Sequence, residues 1–500
     1  MTTYTENGAQ SLATTGDERV DLFFKLVRNI PHDTLDTLIQ SSWDCDPLDT
    51  MKILFQSRDC RNGKGDRMPF LHGMVYIAKH YPEWFIANIS QISVFGRWLD
   101  YIELYHLCIT HELGLHIIHT IVSHIASTLV KDYELLQQSK PVSLLAKWIP
   151  GEDKKWDQGF LKQLCVKLFH LNNVHKVSSW HYYTLRTKYI TPLRNAIKLV
   201  ETRMCTKTYN LIDYSAVPGI AMTKHKAAFT KHDTTRFAKY IADVKNNKSK
   251  INTGVVYPHT IVQKYLDMYD GYHYNVAWVD DVYETMWSAL EKNVHIQDAV
   301  VVSDVSGSMH GVPLMVSIAL GILLSSKNTS ESFQNQLITF DTNPQFVDLG
   351  DCKTLLEKII KVKTMQWGGS TDLQKTFDII LAKCLLGQEA APKKLIILSD
   401  MQFNDAVQVS EAYRRTSVTN FEAIKNKFHA HNLEMPEIIF WNLRGDTDDF
   451  PVSTTTKGVT MLSGFSPTLL NSITTNVELT SYDILRQILD NPRYTTIVGV

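Results

Sequence analysis

The sequence predicts an α + α/β protein in two parts: an all-α, irregular helical-repeat (HEAT-like) domain over residues 20–295 and a doubly wound α/β domain over 296–500, behind a flexible lead at 1–19. Three observations predict it. At 500 residues the chain exceeds what one hydrophobic core organises. Apolar residues recur at helical spacing up to about residue 290. Beyond that point short, β-branched apolar runs alternate with helical stretches. A hydrophobic share of 44% with 21% charged residues is ordinary for a globular chain and excludes disorder over most of its length.

The helical part opens with Leu22, Phe23, Leu26 and Val27, and the spacing returns in Ile102, Tyr105, Ile109, Leu113 and Ile117. Breaks at Asn62-Gly63-Lys64-Gly65, Ile149-Pro150-Gly151 and Val217-Pro218-Gly219 punctuate the pattern at intervals suited to helix pairs. No strict repeat is visible, so a compact all-α domain stands as the alternative to an array.

The texture changes near Asp298. Ala299-Val300-Val301-Val302 is the run expected of a parallel strand covered on both faces. Leu337 to Phe340, Lys394 to Leu398 and Glu437 to Trp441 read the same way. Helices are expected between them at Val312 to Ser325, Leu373 to Leu386 and Phe421 to Phe428, which makes βαβ units and a parallel sheet.

Lys plus Arg number 51 against 52 Asp plus Glu, a net charge of -1 that gives no global bias toward nucleic acid. The distribution is uneven, because residues 131–270 hold 23 basic against 11 acidic side chains. Trp180, Tyr182, Phe229 and Phe237 are interleaved with them, a mixture that suits phosphate neutralisation with base stacking, or simply a solvated helical surface. The first ten residues lack a signal-peptide pattern, so the expected location is cytoplasmic or nuclear rather than secreted. No apolar stretch reaches the roughly 20 residues that span a bilayer, and no membrane partner is expected. Seven cysteines without a C-x-x-C spacing signal neither a disulfide framework nor a zinc knuckle.

The most informative residues are Asp304-Val305-Ser306-Gly307-Ser308, placed directly after the first expected strand. A carboxylate with two hydroxyls at the carboxyl end of a parallel strand offers hard oxygen donors, which suit Mg²⁺ or Mn²⁺ and not zinc. Alone, the pentapeptide could equally cap the next helix. Gly368-Gly369-Ser370-Thr371-Asp372 before a helix and Leu398-Ser399-Asp400 at a strand end add two more oxygen-bearing turns. In order and separation the three motifs resemble a von Willebrand factor A domain with its metal-ion-dependent adhesion site. That resemblance implies Ser306, Ser308 and Thr371 as hydroxyl ligands, with Ser370 the alternative to Thr371, and Asp304 and Asp400 acting directly or through water. It also implies an open metal position for an acidic side chain of a protein partner.

Upstream, Arg58-Asp59-Cys60-Arg61-Asn62-Gly63-Lys64-Gly65-Asp66-Arg67 and Phe95-Gly96-Arg97-Trp98-Leu99-Asp100 resemble turns of the TROVE module of the Ro ribonucleoprotein autoantigen, which joins such a module to a von Willebrand A domain. Leu22-Phe23-Phe24, Leu145-Ala146-Lys147-Trp148, Thr191-Pro192-Leu193-Arg194 and Phe440-Trp441-Asn442-Leu443-Arg444 are closer to a domain-of-unknown-function family of plants, fungi and large DNA viruses, a similarity that spans nearly the whole chain. The Ro resemblance implies single-stranded or small structured RNA as a partner, with Lys224, His225, Lys226, Lys231, His232 and Arg236 on phosphates. Arg61, Lys64 and Arg67 are weaker candidates. Arg58 and Arg97, beside Asp59 and Asp100, are expected instead to lock adjacent helices.

The expected function is therefore a non-catalytic, Ro-like ribonucleoprotein component with a Mg²⁺-dependent protein-ligand site. The alternative is an interaction scaffold with no RNA role. A Mg²⁺-dependent hydrolase is a minor alternative, since the chain has no G-x-x-x-x-G-K-[ST], H-E-x-x-H or G-x-S-x-G.

Overall fold

A computed structural model describes residues 2–5, 10–268, 279–340, 344–364, 373–387, 390–403, 420–447, 449–472 and 479–500. From Glu18 to Glu291 the regular structure is helical; the sheet residues begin at Ala299. The protein is thus α + α/β, with a six-stranded, mostly parallel sheet in its C-terminal part.

The sheet strands are β3 (Ala299–Asp304), β4 (Gln336–Phe340), β5 (Gln345–Asp348), β6 (Lys394–Ser399), β7 (Glu437–Asn442) and β8 (Val459–Ser463). A separate N-terminal pair, β1 (Thr2–Tyr4) and β2 (Gln10–Leu12), is antiparallel. The sheet order is β5-β4-β3-β6-β7-β8, parallel except for β5 against β4. Chain order therefore reverses direction between β3 and β6, and the carboxyl ends of those two strands form the switch point where open α/β sheets hold ligands. The helix Val312–Ser326, apolar on nearly every face, is sandwiched rather than amphipathic and links β3 to β4.

Strands β5 and β8 were not expected from sequence. β5 is a four-residue edge with only Val347 buried, too short to show an alternation. β8 is buried throughout, but the preceding Ser453-Thr454-Thr455-Thr456-Lys457-Gly458 reads as loop. In the lead at 1–19, expected to be flexible, the described residues 2–5 and 10–19 include several that are tied down instead. Leu12 bridges Phe450, the Thr5 hydroxyl donates to Phe403 O at 2.7 Å, and Asp17 caps the helix Glu18–Lys25. The physical reason is backbone pairing: the hairpin finds unpaired donors and acceptors on the C-terminal part.

The helical residues and the sheet are interlocked. Lys64, expected in a turn and as a weaker candidate for phosphate contact, is instead fully buried at the seam, where its ammonium cannot reach a ligand. Its ammonium donates to Leu26 O at 3.0 Å, to Ser463 Oγ at 2.7 Å and to Phe23 O, and it lies 4.4 Å from the Phe23 ring centre. Gly65 makes the turn possible: its φ is +68°, and a Cβ there would stand 2.0 Å from the Tyr257 hydroxyl. Lys25 donates to Thr447 O and Asp449 O, both at 2.6 Å. From the other end, Arg493 donates to Asp59 Oδ1 at 2.8 Å, and Asn88 and Val498 exchange two hydrogen bonds. Arg58 and Asp100 form a buried two-pronged pair at 2.7 and 3.2 Å, the helix lock expected for Arg58.

Two outcomes follow from this seam. Lys64→Met removes three hydrogen bonds and leaves the buried Leu26 carbonyl without its donor, so urea unfolding should show a loss of about 2–4 kcal/mol. The exposed control Lys248→Met should change little. The second concerns His259, buried between Tyr257 and Phe465 with no partner for Nδ1 among the described residues. Burial, reinforced by Arg28, pushes its pKa down to about 3. The unfolded chain takes up that proton near pH 6.5 while the folded chain refuses it, so stability falls as pH drops from about 6.5 toward 3. His259→Phe should flatten that slope in urea titrations run across the same range.

Candidate metal centre

β3 is buried at all six positions and delivers Asp304 to the sheet edge with 0% exposure. The chain then turns on its own carboxylate: Ser306 N donates to Asp304 Oδ1 at 2.9 Å. A short 3-10 turn at Gly307–Met309 brings the Ser306 and Ser308 hydroxyls within 3.0 Å of each other. Ser306 is nearly buried and Ser308 is exposed, so the pair bridges the interior and the surface.

β6 lies beside β3 in parallel register, with Ser303 opposite Leu398. That register sets Ser399 level with Asp304, and the Ser399 hydroxyl donates to Asp304 Oδ2 at 2.6 Å. Asp400 follows with 0% exposure, its Oδ1 accepting from Gln402 N at 3.1 Å. Two carboxylates are thus buried side by side. Burial, then the field of Asp400, pushes the Asp304 pKa up to about 6 against the opposing hydrogen bonds from Ser306 and Ser399. A buried anionic pair of this kind requires a nearby cation or a shared proton.

One cation is in place. Arg444, two residues past β7, donates from Nη1 to Ser308 O at 2.8 Å and to Asp400 Oδ2 at 3.3 Å. Its Nε and Nη2 are held by Asp446 at 2.9 and 2.6 Å. A single guanidinium thus spans the Ser308 turn and the Asp400 turn. Neither Arg444 nor Ser399 had been singled out as a site residue. The available signal was position: Arg444 follows Asn442-Leu443 at the end of a strand parallel to the two that carry the carboxylates.

Four of the five expected ligands, Asp304, Ser306, Ser308 and Asp400, therefore come together at one sheet edge. Thr371 and its alternative Ser370 lie outside the described residues. Among the described residues no cluster of three or more His, Cys, Asp or Glu side chains suits a metal, and all seven cysteines are free thiols. The donors gathered at β3 and β6 are carboxylate and hydroxyl oxygens, which fit a hard divalent ion.

The six basic candidates sit on the helix Gly219–His232 and at the start of Thr234–Lys245. Lys224 and Lys231 are exposed; His232 is exposed and stacks on Tyr209 at 5.0 Å. Lys226 pairs with Asp280 and lies 4.2 Å from the Tyr283 ring centre. Arg236 donates to Asp233 and to the carbonyls of Tyr209, Asn210 and Ile212, so it staples the preceding loop. His225 is half-buried, with its Nε2 unpartnered among the described residues. No helix among the described residues is long and apolar enough to cross a membrane.

Two family models match different parts of the chain. Residues 298–486 match the family model "Domain of unknown function (DUF7788)". Residues 5–124 and 114–300 match "Domain of unknown function (DUF2828)". A protein of Acanthamoeba polyphaga mimivirus, "Uncharacterized protein L728", is 28% identical across 97% of this chain and 87% of its own length. With its model covering more than half of the residues, the chain belongs to the family of the domain of unknown function DUF2828.

Proposed function

We propose that the protein is a non-catalytic binding protein whose C-terminal sheet carries a Mg²⁺- or Mn²⁺-dependent site for an acidic side chain of a protein partner. The observation that carries this reading is the buried pair Asp304 and Asp400 beside the Ser306 and Ser308 hydroxyls at the switch point of the sheet. The strand order, with one antiparallel edge strand, supports a von Willebrand A type of domain. Asp304, Ser306, Ser308 and Asp400 would hold the ion, with Thr371 the further ligand expected from the motif. A bound ion supplies a Lewis-acidic position that a partner carboxylate completes. Asp304 and Asp400 are fully buried and hydrogen-bonded, which suits holding a cation better than presenting a nucleophile or base, so the hydrolase alternative gains no support.

A second reading, a Ro-like RNA face with a TROVE-like helical array, is favoured by Lys224, Lys231 and His232, which stand exposed on one helix with Tyr209 stacked beneath. Lys226 and Arg236 contribute less to it, being engaged within the protein.

Three outcomes test these readings. Titrating Mg²⁺ into chelator-treated protein should raise the melting temperature, with about 2.7 kcal/mol of stabilisation at a hundredfold excess over Kd. The double variant Ser306→Ala and Ser308→Ala should abolish that rise; an unchanged rise would place the ion elsewhere. In chelator, Asp304→Asn should behave differently with pH. The native carboxyl has a folded pKa of about 6 against an ordinary 3.8, so it loses stability as pH climbs through that window, by about 1–3 kcal/mol. The variant should not show this loss. For RNA, neutralising Lys224 and Lys231 together should lower the log-log salt slope of single-strand binding by about 1–2. No change in slope would remove that face.

A further inference from the structure

Away from the metal centre, where the helices Pro47–Arg58, Met68–His80 and Trp98–Thr110 meet, the surface opens into a cleft of about 410 Å³. Arg28, Asn29, Arg58, Arg67, Arg97 and Tyr257 wall it. It borders a more enclosed chamber that shares Arg58, Gly65, Arg97 and Tyr257 and adds Val256, Leu290, Val294 and Pro467. Polar and apolar halves thus adjoin in one concavity, the build expected of a small-molecule site.

Four guanidinium groups on this wall face three carboxylates. Arg28 donates to Asp66 at 2.6 Å through Nε, and Arg67 to Glu103 at 3.0 Å through Nη1. Neither is closed off in a two-pronged fork. Asp100 is engaged by Arg58 with both oxygens. The Arg97 guanidinium forms no ion pair or hydrogen bond among the described residues; only its backbone is engaged, the N–H donating to Asp100 Oδ2 and the carbonyl accepting from Asp100 N, both at 2.9 Å. One positive charge is left over in a half-enclosed space. Arg67 and Arg97 each immediately precede the first turn of a helix, Met68–His80 and Trp98–Thr110, so two helix N-termini add to the same field. Arg28 is held flat against Tyr257 and Phe465, its guanidinium carbon 4.9 and 4.6 Å from the ring centres. Its orientation is thereby fixed before any ligand arrives.

Partly free guanidinium forks from separate segments fit the tetrahedral array of phosphate oxygens better than a single carboxylate, which one Arg saturates. The chamber alongside, about 80 Å³ in volume, admits the edge of an uncharged body attached to the anion, the rest of which lies in the wider cleft. An enclosed inner end suits a terminal group rather than a strand passing through. We propose that this concavity binds a phosphate monoester, with the anion among Arg28, Arg67 and Arg97 and the attached body against Val256, Leu290 and Val294. Mononucleotides and the 5′-phosphorylated end of an RNA strand both carry that chemistry.

Calorimetric titration in the presence of chelator, which silences any divalent-ion site, distinguishes them. The probes are AMP, adenosine, and an RNA hexanucleotide with a 5′-phosphate or a 5′-hydroxyl. Saturable binding of AMP, of the phosphorylated hexanucleotide, or of both is expected, with the unphosphorylated counterpart at least tenfold weaker. AMP alone assigns the site to free mononucleotides; the hexanucleotide alone assigns it to strand ends. Arg97→Met should weaken binding at least tenfold with unchanged melting temperature, since its side chain forms no internal ion pair. Arg67→Met provides a second, half-exposed position with the same expected direction. Absence of saturable binding by either phosphorylated probe, adenosine binding as tightly as AMP, or full affinity in both arginine variants would overturn the proposal.

Discussion

The buried ammonium of Lys64 is the tie on which the rest of the arrangement depends. A lysine without water must give every N–H an acceptor, and here the acceptors come from the end of the helix Glu18–Lys25, from Leu26 beyond it, and from the end of β8. The cost of desolvating the charge is offset only when these segments sit together, so the bond set selects one docking of helices on sheet. The Ser463 hydroxyl closes the circuit by donating to Phe23 O at 2.9 Å. Burial holds the Lys64 ammonium below its ordinary pKa, and the nearby Asp66 works in the opposite direction.

Register does for the Asp304–Asp400 carboxylate pair what Lys64 does for the seam. Because β3 and β6 run parallel with Ser303 beside Leu398, Asp304 and Asp400 emerge at nearly the same height, on the side where the chain changes direction. A one-residue slip would move Ser399 away from Asp304 and break the 2.6 Å bond between its hydroxyl and that carboxylate. Their proximity is therefore a consequence of strand pairing, enforced by strands that are buried almost throughout.

Legibility in the sequence followed how local each feature is. The strands at Ala299, Leu337, Lys394 and Glu437 announce themselves because burial on both faces demands unbroken apolar runs. β8 carries such a pattern over only five residues, and the edge strand β5 has almost no burial to write into its side chains. The D-x-S-x-S turn is legible because its bonds are between neighbours, as in Ser306 to Asp304. Arg444 was not, because its meaning lies in contacts with Ser308 and Asp400, far away in the chain. Lys64 misled for the same reason: in Asn62-Gly63-Lys64-Gly65 it looks like solvated turn chemistry, and only the distant Ser463 shows otherwise. Lys226 and Arg236 looked free because Asp280 and the Tyr209 to Ile212 carbonyls are not their neighbours in sequence.

The seam and the carboxylate pair are mechanically joined through the segment that carries Arg444. Lys25, at the end of the first helix, holds Thr447 and Asp449 by their carbonyls, while Gln402, two residues past Asp400, donates to Asp449 Oδ1 at 2.8 Å. Gly445 sits so close to Val27 that a Cβ there would stand 2.9 Å from its carbonyl oxygen. The guanidinium lying over the carboxylates is thus positioned from both sides, by the sheet through Asp400 and Ser308 and by the helical part through Lys25 and Val27. The group that neutralises Asp400 is thus anchored in part to the opposite half of the chain, so the geometry at the carboxylates and the docking of the helices share one set of bonds. Cut free, residues 296–500 would expose the Ser463 edge and lose the contacts from Lys25 and Val27 that help to place Arg444.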